Sequence, residues 1–243
     1  MAHTILLPTE FDKSLVDFLP PKVNKLGGQS VLLNYSTGGD AEKTSGPFIM
    51  QTCRLRIPFG IDQSKSDNGG PTRYHISLSL ANDETQNESL KLFTNNVRDI
   101  DERAKLFPQE NESWFGKRLS SELVNEFYKS AEKFPKDPKW PSNLKVKLPF
   151  DRKGEQQFAL YDEKKNPINI FEGDGETLNL SAIPKGSEAV CLIQSTGVWF
   201  VGKTQYGVGY KLLQAKIFRS NKLTGYSIVD SEDEVDADEE EVE

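Results

Sequence analysis

Between Val198 and Tyr226, six aromatic residues (Trp199, Phe200, Tyr206, Tyr210, Phe218 and Tyr226) interleave with five cations (Lys203, Lys211, Lys216, Arg219 and Lys222). Flat rings stack on nucleobases, each stacked base contributing about 1–3 kcal/mol, and cations neutralise phosphates; together they hold an unpaired polynucleotide. The forty residues from Val190 to Val229 contain no Asp or Glu to repel phosphate. Strand alternation predicts Tyr210, Lys216 and Phe218 on one face and Lys211 and Arg219 on the other, so part of the set must be core. Trp199 shares a face with Lys203, and Tyr206 stands in a glycine-flanked turn, which makes these the accessible members.

A second candidate surface is Trp114-Phe115-Gly116-Lys117-Arg118, two aromatics and two bases ahead of a helix. Its alternative is a hydrophobic staple holding that helix to the sheet. Arg54, Arg56, Lys145 and Lys147 occupy basic strand faces, either as phosphate contacts or as ordinary solvated exterior.

Catalytic and metal chemistry find little support. His3 and His75 are the only histidines and Cys53 and Cys191 the only cysteines, too few for a zinc cluster or a disulfide framework. No Gly-x-Ser-x-Gly elbow occurs, and Gly38-Gly39, Gly69-Gly70 and Gly207-Val-Gly209 lack the setting of a phosphate-binding loop, so they read as turns. His75 falls in an alternating strand, as a structural histidine. The expectation is a binding protein that uses neither metal nor cofactor.

The elements that would position these residues are mostly strands. Alternation predicts Gln29–Tyr35, Phe48–Phe59, Arg73–Leu80, Leu144–Phe150, Gln156–Tyr161, Glu188–Gln194, Val198–Lys203 and Val208–Arg219. Helical spacing appears at 97–107 and at 119–132, where Leu119, Leu123, Phe127 and Ala131 recur four apart. Residues 1–28, punctuated by Pro20-Pro21 and Gly27-Gly28, read as a weakly ordered lead-in. The fold class expected is mainly β: an OB-like barrel over 29–226 with two helices inserted near 97–135, and an acidic tail from 227 to 243. With no apolar run near the roughly 18 residues of a membrane span and no signal pattern, an intracellular, reducing setting away from membranes is expected.

The net charge of −7 conceals an asymmetry. Ten acids, Asp230, Glu232, Asp233, Glu234, Asp236, Asp238, Glu239, Glu240, Glu241 and Glu243, crowd the last fourteen residues, leaving 27 acids against 30 bases in the body. Such a run cannot offset its chain entropy and is expected to be unfolded, a tethered competitor for the basic segment beside it. The alternatives are a tail that only solubilises, or an acidic-tailed, chaperone-like module that engages basic proteins without binding nucleic acid.

Trp114-Phe115-Gly-Lys, Trp199-Phe200-Val-Gly-Lys203, Tyr206-Gly-Val-Gly-Tyr-Lys211 and the acidic terminus together resemble the single-stranded DNA-binding proteins of large nucleocytoplasmic DNA viruses. These are similar in turn to the replication binding proteins of short-tailed phages. The resemblance implies a five-stranded barrel interrupted by helix and sequence-tolerant coating of single-stranded DNA in replication, recombination or repair. It also implies homodimers, a tail that recruits polymerase or primase-helicase, and residence in a viral factory of the host cytoplasm or in the nucleus. One departure concerns the tail: phage tails end in an aromatic residue, whereas this chain ends Glu240-Glu-Val-Glu243, leaving Val242 as the nearest substitute.

Overall fold

The computed structural model describes residues 4–24, 27–38, 44–65, 71–82, 84–173 and 177–219. The acidic run from Asp230 to Glu243, with Lys222 and Tyr226, lies outside the described residues. The chain begins with 3-10 turns at Pro8–Glu10 and Lys13–Leu15, then short strands β1 (Val16–Phe18), β2 (Lys22–Val23), β3 (Gln29–Val31) and β4 (Leu33–Thr37). Next come β5 (Thr44–Pro47), β6 (Ile49–Gln51), β7 (Leu55–Ile57), β8 (Ile61–Ser64) and β9 (Arg73–Ser79). Helices α1 (Glu88–Glu110) and α2 (Ser121–Phe127) lead to β10 (Glu132–Lys133), β11 (Asn143–Leu148), β12 (Ala159–Tyr161), β13 (Ser187–Val201) and β14 (Gln205–Phe218).

The fold is mainly β and OB-like, with the two helices inserted between its strands. β13 is the spine: one edge pairs in turn with β7, β6 and β3, and the other with β14 along its length. β14 runs parallel to β11 and β12, β11 is antiparallel to β9, and β9 to β8. β7 lies against β9 without a ladder between them, so among the described strands the sheet curls toward a barrel and stops short of hydrogen-bonded closure. Ile57, Ile76, Leu78, Leu144, Val146, Ile193 and Leu212 fill the interior.

Several boundaries differ from those expected, each for a local reason. Gln29–Tyr35 divides at Leu32, because β3 joins the large sheet while β4 pairs with β1 and β5. Gly197 permits the division: its φ is +92°, and a Cβ there would stand 2.1 Å from the Val31 carbonyl oxygen. Phe48–Phe59 breaks at Thr52, whose hydroxyl accepts the Cys191 N–H at 3.0 Å in place of a ladder bond. The first 28 residues, expected to be weakly ordered, contribute Leu6 and Val16 to the core, and Phe11 packs against Tyr35 and Phe48. Their apolar patches are too sparse to pair alone but find partners in β4 and β6.

The helices depart from the expected spans in opposite senses. α1 begins nine residues earlier than expected, capped by Asn87, whose side chain accepts the Leu90 N–H at 3.0 Å, and buries Phe93, Val97, Ile100 and Ala104. α2 stops at Phe127 although its apolar spacing continues to Ala131. The Lys129 N–H instead donates to the Tyr206 carbonyl at 2.8 Å. The buried Asp101 carboxylate then gathers the Tyr128 and Ser130 hydroxyls and the Ala131 N–H. Beyond it, Arg98 grips the buried Glu132 through two bonds of 2.8 and 2.9 Å. These anchors pull 128–133 off the helical path and onto the sheet edge.

Candidate nucleic-acid interface

The site is organised around Trp199. On β13 it pairs with Gly207, and Gly197 pairs with Gly209. A Cβ at Gly207 would stand 2.9 Å from the indole Cζ2 and 2.3 Å from the Lys129 carbonyl oxygen; one at Gly209 would stand 3.5 Å from the indole Cδ1. The indole therefore lies across two residues without side chains. Gly207-Val-Gly209, expected to be a turn, lies near the start of β14, and its glycines clear the floor on which this ring is seated.

Over the half-buried Trp199 opens a cleft of about 390 Å³ lined by Arg73 of β9, Lys129 before β10, Lys133 of β10, and Lys145 and Lys147 of β11, with no Asp or Glu in its lining among the described residues. β11 alternates strictly, Leu144, Val146 and Leu148 buried against exposed Lys145 and Lys147. Register sets Lys211, Lys147 and His75 side by side across three strands. Tyr74, opposite the buried Leu148, turns to the other face and packs edge-on against Phe150, so Trp199 is the ring this face presents.

The cations crowd one another. Burial, with Lys145 and Lys129 nearby, pushes the Lys133 ammonium below its ordinary value against the opposing pull of Asp101. His75 is likewise lowered, by burial first and Lys145 second, although its Nε2 lies 3.1 Å from an Asp62 carboxylate oxygen. An anion entering the cleft would relieve this repulsion. The thiols offer no comparable chemistry: burial raises Cys53 to about 11 and Cys191 to about 12, so neither is a thiolate at neutral pH.

Of the residues expected from sequence, Trp199 lines the cleft and half-buried Lys211 stands beside Lys147. Tyr206 and Tyr210 do not serve as stacking faces. Tyr206 is 0% exposed, held among Trp114, Phe115, Tyr128 and Phe200, and its hydroxyl donates to the Lys105 carbonyl at 2.7 Å. Tyr210 is 3% exposed, beside the buried Val146 on the core face, its hydroxyl without a partner among the described residues. Both glycine-flanked tyrosines lie in a strand, where alternation turns them inward.

The expectation that Tyr210, Lys216 and Phe218 share a face fails at a β-bulge. Leu192 pairs with Gln214 but Ile193 with Leu212, so Leu213 is an extra residue and the facing inverts beyond it. Tyr210 and Leu212 are buried before the bulge, Ala215 and Ile217 after it, and Lys216 and Phe218 stand outward. They form a separate surface about 20 Å along the strand from Tyr210. There the Arg54 guanidinium sits 4.0 Å above the Phe218 ring and ion-pairs with Glu188 at 2.6 Å, while Arg56 faces Glu188 across the ladder. Arg54 lies in the break before β7, outside the strand that carries Arg56, yet both converge on Glu188.

Lys203 projects from the exposed turn joining β13 to β14 and not from the Trp199 face, and Arg219 follows the end of β14. Lys117 and Arg118 are exposed in the linker between the helices, outside the cleft. Trp114 beside them is buried, stacked 4.4 Å from Phe107 and edge-on to Phe18, Phe200 and Tyr206; this segment is the staple. Arg73, Lys129 and Lys133 were not anticipated. The alternation of β9 could have marked Arg73, but Lys129 and Lys133 reach the cleft only because α2 ends early.

A family model described as a family of unknown function (DUF5871) matches residues 79–230. No curated protein matches the chain. Among solved structures, the single-stranded DNA-binding protein from bacteriophage Enc34 in complex with ssDNA is similar at 12% identity and a TM-score of 0.41, covering 86% of this chain and 99% of that one. The gp2.5 single-stranded DNA-binding protein encoded by bacteriophage T7 is similar at 12% identity and a TM-score of 0.44, covering 75% of this chain and 98% of that one.

Proposed function

This chain belongs to the DUF5871 family, and we propose that it binds single-stranded DNA in the Trp199 cleft, tolerant of sequence, in replication, recombination or repair. The observation that carries the reading is the convergence of Arg73, Lys129, Lys133, Lys145 and Lys147 on a cleft whose floor is a glycine-seated indole and whose lining, among the described residues, contains no acid. The cations neutralise phosphates, and the ring accepts any base because every base has a π-face. A duplex hides those faces, so the same cleft discriminates against it. The resemblance of the Trp199–Lys211 stretch to single-stranded DNA-binding proteins of large nucleocytoplasmic DNA viruses supports a replicative role.

The acids from Asp230 to Glu243 act in this reading as a second polyanion on the same chain. Tethered through residues 220–229 to the end of β14, at about millimolar effective concentration, they compete with DNA, and when displaced they are free to dock a polymerase or primase-helicase. The test is a titration of oligo-dT and of duplex DNA into the full chain and into a chain lacking 230–243. The full chain is expected to prefer oligo-dT strongly, and the truncated chain to bind it several-fold more tightly at low salt. Equal affinity for duplex would reject the cleft as a single-strand site, and unchanged or weaker binding after truncation would reject the competitor.

A further inference from the structure

The most exposed aromatic side chains among the described residues lie outside the cleft. Phe134 is 70% exposed and Trp140 68% exposed, both in the loop 134–141 that joins β10 to β11. Large rings left in water at this exposure lack the burial that normally retains them. They border a groove of about 370 Å³ together with Lys136 and Lys139.

The groove and the cleft adjoin along the chain, where Lys133 lines one and its neighbour Phe134 the other. We propose that a bound strand leaves the Trp199 cleft over the β10–β11 edge and stacks further bases on Phe134 and Trp140, making 134–141 a second stretch of the polynucleotide site. The inference rests on the single-strand reading above and extends it.

The charge pattern favours a polynucleotide as the occupant. Exposed rings alternating with lysines are what a single strand needs, whereas the centres of protein–protein interfaces are depleted in lysine. Among the described residues two acids lie at the groove. The Asp137 carboxylate accepts the Lys139 N–H at 3.0 Å, which turns it toward the loop's own backbone. Glu84 lines the far side of the groove, where Arg98, already held by Glu132, also stands.

The loop is built to present these rings. Pro135, Pro138 and Pro141 restrict its backbone, which reduces the entropy lost when a ligand orders it. Its two ends are anchored at β10, where Glu132 takes the Arg98 pair, and at Ser142, whose hydroxyl donates to Glu132 and whose carbonyl accepts the Leu80 N–H at 2.8 Å.

The experiment compares oligo-dT of about 4 and about 16 nucleotides, the span of site sizes for such folds, on the full chain, on Phe134→Ala/Trp140→Ala and on Trp199→Ala. The double variant is expected to lose about tenfold or more in affinity for the long oligomer while binding the short one like the wild type. Its thermal midpoint should not move, since both rings are already in water. Wild-type affinity of the double variant for the long oligomer would overturn the second stretch and leave the cleft standing. Failure of Trp199→Ala to weaken either length would overturn the cleft itself, so the two readings fail separately.

Discussion

Replacing Lys145 and Lys147 together by Gln should flatten the salt dependence of oligo-dT binding by about 1.4 in the slope of log K against log salt, at about 0.7 per phosphate neutralised on a single strand. Between 50 and 200 mM salt the wild type is then expected to lose about sevenfold more affinity than the variant. The argument rests on geometry. Both side chains are the exposed members of an alternating strand whose other face is core, so Gln at either position costs the fold little. Arg54→Gln/Arg56→Gln is the control, because those residues lie on the face where Glu188 already pairs with Arg54. Fluorescence anisotropy across a salt series checks both. An unchanged slope for the β11 pair, or an equal change for the Arg54 and Arg56 pair, would move the phosphate path off the cleft.

Trp199→Ala tests the other half of the site. It should reduce oligo-dT affinity by about 5- to 150-fold, the worth of one stacked base, with the salt slope preserved because no charge is removed. Trp199→Phe keeps a ring over Gly207 and Gly209 and should recover part of the loss, whereas a purely structural role for the indole would make binding track thermal stability instead. Equilibrium titration beside a melting curve separates the two. Loss of slope in Trp199→Ala would mean that the ring positions Lys129, whose carbonyl lies against the same glycine, more than it stacks.

The strand-rich class was legible because alternation is a local property: β9, β11 and the β13–β14 hairpin all announce it in a few residues. The two halves of the site were legible to different degrees. Trp199 and the exposed lysines of β11 follow from period-2 patterning, but the cleft joins positions from Arg73 to Trp199 that no local rule connects. Three physical events hid the rest. The bulge at Leu213 inverts the facing of β14 midway, so Lys216 and Phe218 could not be assigned to the Tyr210 face or excluded from it without the partner strand. Gly207 and Gly209 carry the composition of a turn, yet are there because a ring from the neighbouring strand needs their empty space. The apolar spacing of 119–132 is sound for a helix, but Asp101 and Tyr206 capture the backbone after Phe127. In each case a tertiary contact overrides a local preference.

The most direct measurement is photocrosslinking of the full chain to oligo-dT carrying iododeoxyuridine, followed by sequencing of the modified peptides. The cleft predicts adducts on Trp199, suppressed by competing unlabelled oligo-dT. Adducts confined to Phe218 and the Arg54–Arg56 segment, with Trp199 unmodified, would contradict it and place the strand on the opposite end of β14.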